Sequence, residues 1–396
     1  MSLLNAAQRH LTGIVALPSD IKCIALALLL NGFAHNLISV FVPFIIISSH
    51  GTLLDVARFY LVYAAVKLCI NYPAMCVIQR YSASLGLYFG FISGAIKLVG
   101  LSWYTSSGNN TYLTASAVAL ALANGFGWNA QHLYLSRTLN SLTRSRNLAS
   151  IDILGNILGV IGPLIAATIA TLFGAQILLW TAISIIICTL FPLRMMYAYE
   201  RAHPLAHERL TYSLANAPWR DTLANFCFNV ETAIGQMVWP VYLAIAIGGY
   251  NTIGLITAVG FLASLIVVHY AGKRGDSGKT RATLLHGCIA SSCAHLTRPL
   301  AVTPLTIGAV AAFYHCSLRY MGNAWSSLYY SHSRNRGISY IVSMEIACDV
   351  AYLVVWLPFF LVAESPSHTN AFDLLFIVAG VAAYGPLLIS KENEGS

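Results

Sequence analysis

The chain has 396 residues, 57% of them hydrophobic and only 9% charged, and its mean hydropathy is +0.69. Soluble domains carry roughly a quarter charged residues, so the composition excludes an ordinary soluble protein and points to one that spends most of its length in lipid. The net charge of +8 would suit a nucleic-acid binder, but basic residues gathered in short loops between apolar runs are a topology signal instead, and no nucleic-acid partner is expected.

A helix needs about 20 apolar residues to cross a bilayer. Taken in order, the apolar runs predict spans 1 to 12 at 22–48, 57–78, 85–106, 112–136, 148–172, 175–196, 220–246, 251–271, 282–301, 304–331, 338–362 and 370–389. The polar stretch 197–219 falls at the midpoint. It divides the chain into an N-terminal six-helix bundle (1–196), a cytoplasmic linker (197–219) and a C-terminal six-helix bundle (220–396). With the N-terminus in the cytoplasm, 17 of the 22 Lys and Arg residues fall in interior loops and only Arg58 in an exterior one. That asymmetry predicts an even number of spans with both termini inside. The remaining four, Lys67, Lys97, Arg298 and Arg319, lie within spans. The first residues precede an apolar run too long for a signal peptide, so no cleavable segment is expected.

The nine cysteines fall mostly within apolar runs and form no C-x-x-C pair, so neither a metal site nor a disulfide framework is predicted. No cofactor is expected. A weak internal echo supports the division into halves. Asn129-Ala130 with Leu133-Tyr134 and Ser136 in span 4 resembles Asn323-Ala324 with Leu328-Tyr329 and Ser331 in span 10, each ahead of a basic turn.

The plan resembles the major facilitator superfamily over essentially the whole chain. After span 8, Gly272, Asp276, Gly278 and Lys279 are similar to that family's loop motif, with the second glycine one residue early, and the resemblance implies a gating role for them. The matching loop after span 2, Gln79 to Gly86, keeps Arg80 and Gly86 but lacks the aspartate. Span 5 carries Gly155, Gly159, Gly162-Pro163 and Ala166-Ala167, similar to the glycine- and proline-rich helix that the family associates with exporters. Tight helix packing explains the same residues. The fold class implied is all-α and polytopic, about 12 transmembrane helices in two pseudo-symmetric six-helix bundles.

Charge inside lipid is rare and faces a protein interior or a watery cavity. Counting 10 to 15 residues into each span places His35, Asn36, Lys67, Lys97, Glu231, His295, Arg298, His315, Arg319 and Asp349 near the bilayer centre, with Glu345 one turn nearer the cytoplasm. In the family, spans 1, 2, 4, 5, 7, 8, 10 and 11 line the central cavity, so Lys97 and Arg298 on spans 3 and 9 read as anchors. Glu231, Arg319, Glu345 and Asp349 are the proton-coupling or ion-pair candidates. Arg319 needs a counter-ion, with Asp349 first and Glu231 or Glu345 as alternatives, and Glu231 is the first choice for coupling. His35, Asn36, Lys67, Asn129, Asn323 and Trp325 are the substrate-cavity candidates. Lys67 has no acid at its depth in the N-terminal half. Either it waits for an anion, which leans the substrate toward an anionic or zwitterionic solute, or it reaches an acid of the other half.

These residues predict a monomeric secondary transporter of a small organic solute, proton-coupled, with export as one direction, in a plasma membrane and by its compact loops a bacterial inner membrane. The alternatives are a polytopic acyl or glycosyl transferase and a transport-like receptor. No G-x-S-x-G, H-E-x-x-H or Walker sequence occurs, so an enzyme is not expected.

Overall fold

The computed structural model describes residues 19–138, 144–202, 217–276, 279–365 and 368–390, and among them every regular element is helical. Helix α1 (Ser19–Ile38) passes through a 3-10 turn (Ser39–Phe41) into α2 (Val42–Ser49). Pro43 explains the break, since its ring has no N–H and crowds the preceding turn. Helix α3 (Leu53–Arg80) starts in a capping box: the Asp55 N–H donates to Thr52 Oγ1 (3.3 Å) and the Thr52 N–H to Asp55 Oδ2 (2.9 Å). Helices α4 (Ala83–Ser107) and α5 (Asn110–Thr138) follow. Then α6 (Arg144–Ala202) contains two arms joined at Gly174, whose φ of 86° and ψ of 165° only glycine adopts without strain.

In the second half, α7 (Trp219–Ala233) runs through a π turn (Ile234–Val238) into α8 (Trp239–Ala246). Helices α9 (Tyr250–Asp276), α10 (Thr280–Thr297), α11 (Pro304–Arg336), α12 (Ile338–Val362) and α13 (His368–Ala382) complete the chain. With α1–α2 and α7–α8 each taken as one bent rod and α6 as two, the described elements make twelve segments, as the apolar runs predicted. One boundary is corrected. The polar residues Ser331 to Arg336, expected to form a turn, extend α11 by more than a turn, and the chain reverses at Gly337 with φ 78°. The basic side chains there lie past the apolar segment, where helix geometry needs no lipid.

Seven helical stretches are long and apolar enough to cross a membrane by length and composition. Those that fall short are α5, α7–α8, α10 and α11, whose polar side chains turn inward, as shown below. Leu172, Phe191, Leu300, Leu305, Leu361 and Val381 are instead largely exposed on the outside of the bundle, an apolar surface that only lipid covers favourably.

Helices α1, α3, α4, α5 and α6 pack among themselves, as do α7 and α9 to α13. Two broad contacts join the halves, α3 with α12 and α6 with α9. At the second, small residues permit close approach: a Cβ on Gly254 would lie 2.7 Å from the Pro163 carbonyl oxygen, and one on Gly159 would lie 2.5 Å from the Phe261 ring. The helix ends beside the termini are tied by opposite charges. Glu200, ending α6, accepts from the Ala83 and Ser84 N–H groups that open α4 (2.7 and 2.8 Å). Arg281, opening α10, donates to the carbonyls of Ile389 and Ser390 beyond α13 (2.9 and 2.7 Å). An acid at a helix N-terminus and a base at C-terminal carbonyls both oppose the helix dipole.

Candidate functional site

Helix α3 runs toward the termini and α12 away from them, so residues spaced three or four apart face one another in layers. Tyr60 stacks on Trp356 with ring centroids 4.4 Å apart, and Tyr63 lies 6.0 Å from Tyr352. About 6 Å beyond Tyr63 along α3 comes Lys67, fully enclosed. Its Nζ donates to Asp349 Oδ1 at 2.5 Å and to Glu345 Oε2 at 3.1 Å. Asn71, one turn on, donates to the other Asp349 oxygen. Asn129 of α5 backs Asn71, donating from Nδ2 to the Asn71 side-chain oxygen (3.1 Å) and to the Gly125 carbonyl (2.7 Å). The network continues through Glu345 Oε1, 3.5 Å from His132 Nε2, and His132 Nδ1 is hydrogen-bonded to the Tyr330 hydroxyl at 3.0 Å. One chain of polar contacts therefore crosses from α3 and α5 in one half to α11 and α12 in the other.

Beside this network is a cavity of about 350 Å³, lined from α3, α5, α7, the π turn, α11 and α12. Lys67, His132, Glu345, Arg319, Asn323 and Trp325 all reach it. The Tyr60–Trp356 stack lies on the same two helices further from the termini, and the Tyr250 ring meets Phe41 and Phe44 at 5.6 and 4.8 Å.

The expected counter-ion of Arg319 is not where the sequence placed it. Asp349 and Glu345 are both taken by Lys67, and Arg319 has no carboxylate partner among the described residues. It lines the cavity with its guanidinium 5.7 Å from the Phe261 ring centre. Lys67 thus takes the second course open to it, an acid of the opposite half.

Glu231 lies elsewhere. It is fully buried away from the cavity lining, and its partners arrive from α10. Ser291 Oγ donates to Glu231 Oε1 at 2.6 Å, and His295 Nε2 stands 2.9 Å from the same oxygen. Arg298 Nη1 is 3.0 Å from His295 Nδ1. A guanidinium can only donate, so Nδ1 accepts and the imidazole proton sits on Nε2, aimed at Glu231. Arg298 is also enclosed by aromatic faces, 4.3 Å from the Tyr314 ring centre and 4.5 Å from that of Trp239. A Cβ on Gly235 in the π turn would strike the Tyr314 hydroxyl, so the turn and this cluster are packed as one unit.

Of the other cavity candidates, Asn323 and Trp325 line the space, and Asn129 supports it from behind. His35 is exposed and Asn36 half-buried, and neither reaches this cavity. The loop candidates do not form a described site. Gly272 and Asp276 belong to the last turns of α9 rather than to a loop, and their surroundings lie outside the described residues, as does Gly278. Lys279 is exposed ahead of α10. Sequence reasoning missed Asn71, Tyr63, Tyr352 and Cys348. Asn71 carried a signal, a polar side chain four residues from a buried lysine and so on the same helix face. Cys348 resembles packing until α7 is placed beside it, where its thiol donates to Asn229 Oδ1 at 3.1 Å.

No family model and no curated protein matches the chain. Among solved structures, it is similar to one described as a bacterial homologue of the iron transporter ferroportin in an outward-facing state. The TM-score is 0.71 at 14% identity, covering 94% of this chain and 98% of that one. A likeness at that identity shows a shared all-helical fold.

Proposed function

We propose that the chain is a secondary transporter that carries a small organic solute across a membrane by alternating access, with a proton as the coupled ion. The observation that carries this reading is the meeting of Lys67 with both Glu345 and Asp349 across the boundary between the halves, beside a cavity of about 350 Å³. One ammonium neutralises one carboxylate. A second buried carboxylate without its own counter-charge is costly, and a proton removes that charge. When the halves rock apart, Lys67 leaves α12, water reaches the carboxylates, and the proton is released. The network therefore differs between the two states, as coupling requires.

The iron in the name of the similar structure is not carried over. The Lys67 ammonium occupies the place between the two carboxylates where a cation would sit, and among the described residues no three His, Cys, Asp or Glu side chains converge as metal ligands. The cavity is of metabolite size and its wall mixes aromatic faces with a few polar groups. The same reading takes 1–196 and 220–396 as the two moving bundles with 197–219 as the linker. It places both termini in the cytoplasm on the basic-loop asymmetry, a monomer in a bacterial inner membrane. Export is the direction taken from the likeness of Gly155, Gly159 and Gly162-Pro163 to the exporter helix of the major facilitator superfamily.

The test is flux into proteoliposomes holding the purified full chain, with an imposed pH gradient and a panel of labelled metabolites. Gradient-dependent flux is expected, with coupling lost in Glu345→Gln and Asp349→Asn. Glu231→Gln is expected to keep coupled flux and lower thermal stability. Flux that persists unchanged once the pH gradient is collapsed overturns proton coupling, and turnover of a lipid-linked substrate in detergent would favour the transferase reading.

A further inference from the structure

We infer that Arg319 and Asn323 form a subsite for a single carboxylate group, so that the solute is a small organic monoanion with an aromatic or apolar body. This rests on the transporter reading for its physiological meaning, but the binding claim stands on the cavity alone. Arg319 and Asn323 are four residues apart on α11 and share one face, with Gly322 between them leaving the wall open. Both line the cavity. Arg319 is the cation there whose charge no carboxylate of the described residues answers, since Lys67 holds both acids of α12. Its Nε is buried without a hydrogen-bond partner. Asn323 is only 4% exposed, and both ends of its amide lack a partner. A buried polar group left unsatisfied is destabilising, by about 1–3 kcal/mol for a typical case, and in native proteins such groups are few. Two of them, one turn apart at the wall of one cavity, mark where a ligand supplies the missing acceptor.

The chemistry of the donors selects the head group. A guanidinium offers two parallel N–H groups that match the two oxygens of a planar carboxylate, and the Asn323 amide adds a third donor. A phosphate monoester carries close to two charges, and among the described residues lining the cavity Arg319 alone is a cation not held by a carboxylate. The body of the ligand is set by what surrounds the head. Phe228 and Trp325 stack at 5.0 Å with planes 18° apart, and both line the same space.

The probe is 1-naphthoate, compared with its neutral isostere 1-naphthamide and with inorganic phosphate, binding to the full chain in detergent by calorimetry. Naphthoate is expected to bind at least tenfold more tightly than naphthamide, with phosphate failing to compete. Arg319→Gln is expected to abolish the preference, and Asn323→Ala, which removes an amide that supports no other contact, to weaken naphthoate severalfold while leaving naphthamide unchanged. Thermal unfolding of each variant without ligand separates loss of the site from loss of the fold. Equal affinity for acid and amide, an unaltered preference in a folded Arg319→Gln, or binding of phosphate in place of naphthoate would each overturn the assignment. Preferential naphthoate binding without flux in proteoliposomes would leave the subsite standing and remove the transporter reading instead.

Discussion

Lys67 shows how far a residue's role depends on what the other half of the chain brings to it. A buried lysine with no acid in its own half either waits for an anion or reaches an acid of the other half, and both readings were open from the sequence. Its partners are 278 and 282 residues away, a separation that no local spacing encodes. The i, i+4 relation of Glu345 and Asp349 was visible, and so was their shared face. What stayed hidden was that this face meets α3 and not Arg319 on the adjacent helix. Replacing Lys67 with Met leaves two buried carboxylates without their cation, and thermal or denaturant unfolding should show a loss of about 3 kcal/mol. Adding Asp349→Asn should recover part of that loss, so the double-mutant cycle returns a clear coupling energy. Additive effects would mean that the pair contributes little to holding the halves together.

At the scale of elements, helix existence was legible because each span is a long apolar run, and α12 is found within its predicted limits, 338–362. Irregularities were not legible. The π turn at 234–238 replaces ordinary helix in the middle of an unbroken apolar stretch, and hydropathy does not register a changed hydrogen-bond pattern. The glycines of α6 were noticed as a group, but only their surroundings separate them. Gly159 presses against Phe261, whereas a Cβ on Gly155 would meet nothing within 4 Å. Gly159→Leu should therefore destabilise the protein by about 1–3 kcal/mol through overpacking and reduce flux, while Gly155→Leu should leave the melting temperature and flux near those of the parent. Equal effects at both positions would assign the glycines to something other than the contact with α9.

For the whole molecule, the basic loops and the run of spans were enough to anticipate twelve helices in two bundles, because lipid leaves a chain few ways to satisfy its backbone. The seam between bundles was less accessible. It is built from α3 against α12 and from α6 against α9, helices far apart in sequence that carry no mutual signature beyond small or polar side chains on one face. The polar helices α5, α7, α10 and α11 were the useful hint: lines of sequence too polar for lipid must turn toward each other, and three of them wall the cavity while α10 supplies the partners of Glu231.

The ionised groups around the cavity also set its electrical behaviour. On the proposed coupling, one of the two α12 carboxylates beside Lys67 holds a proton while the halves are closed, so with Arg319 in the cavity wall the empty closed site is positive by one. A monoanion seated at Arg319 then makes it neutral, so proton and anion travel together. The loaded site then crosses the bilayer without moving net charge, whereas an uncompensated charge would feel about 2.3 kcal/mol for every 100 mV. Flux of a carboxylate should accordingly respond to a pH gradient and be indifferent to a potassium diffusion potential set with valinomycin. A steep response to voltage would show that the stoichiometry is other than one proton for each anion.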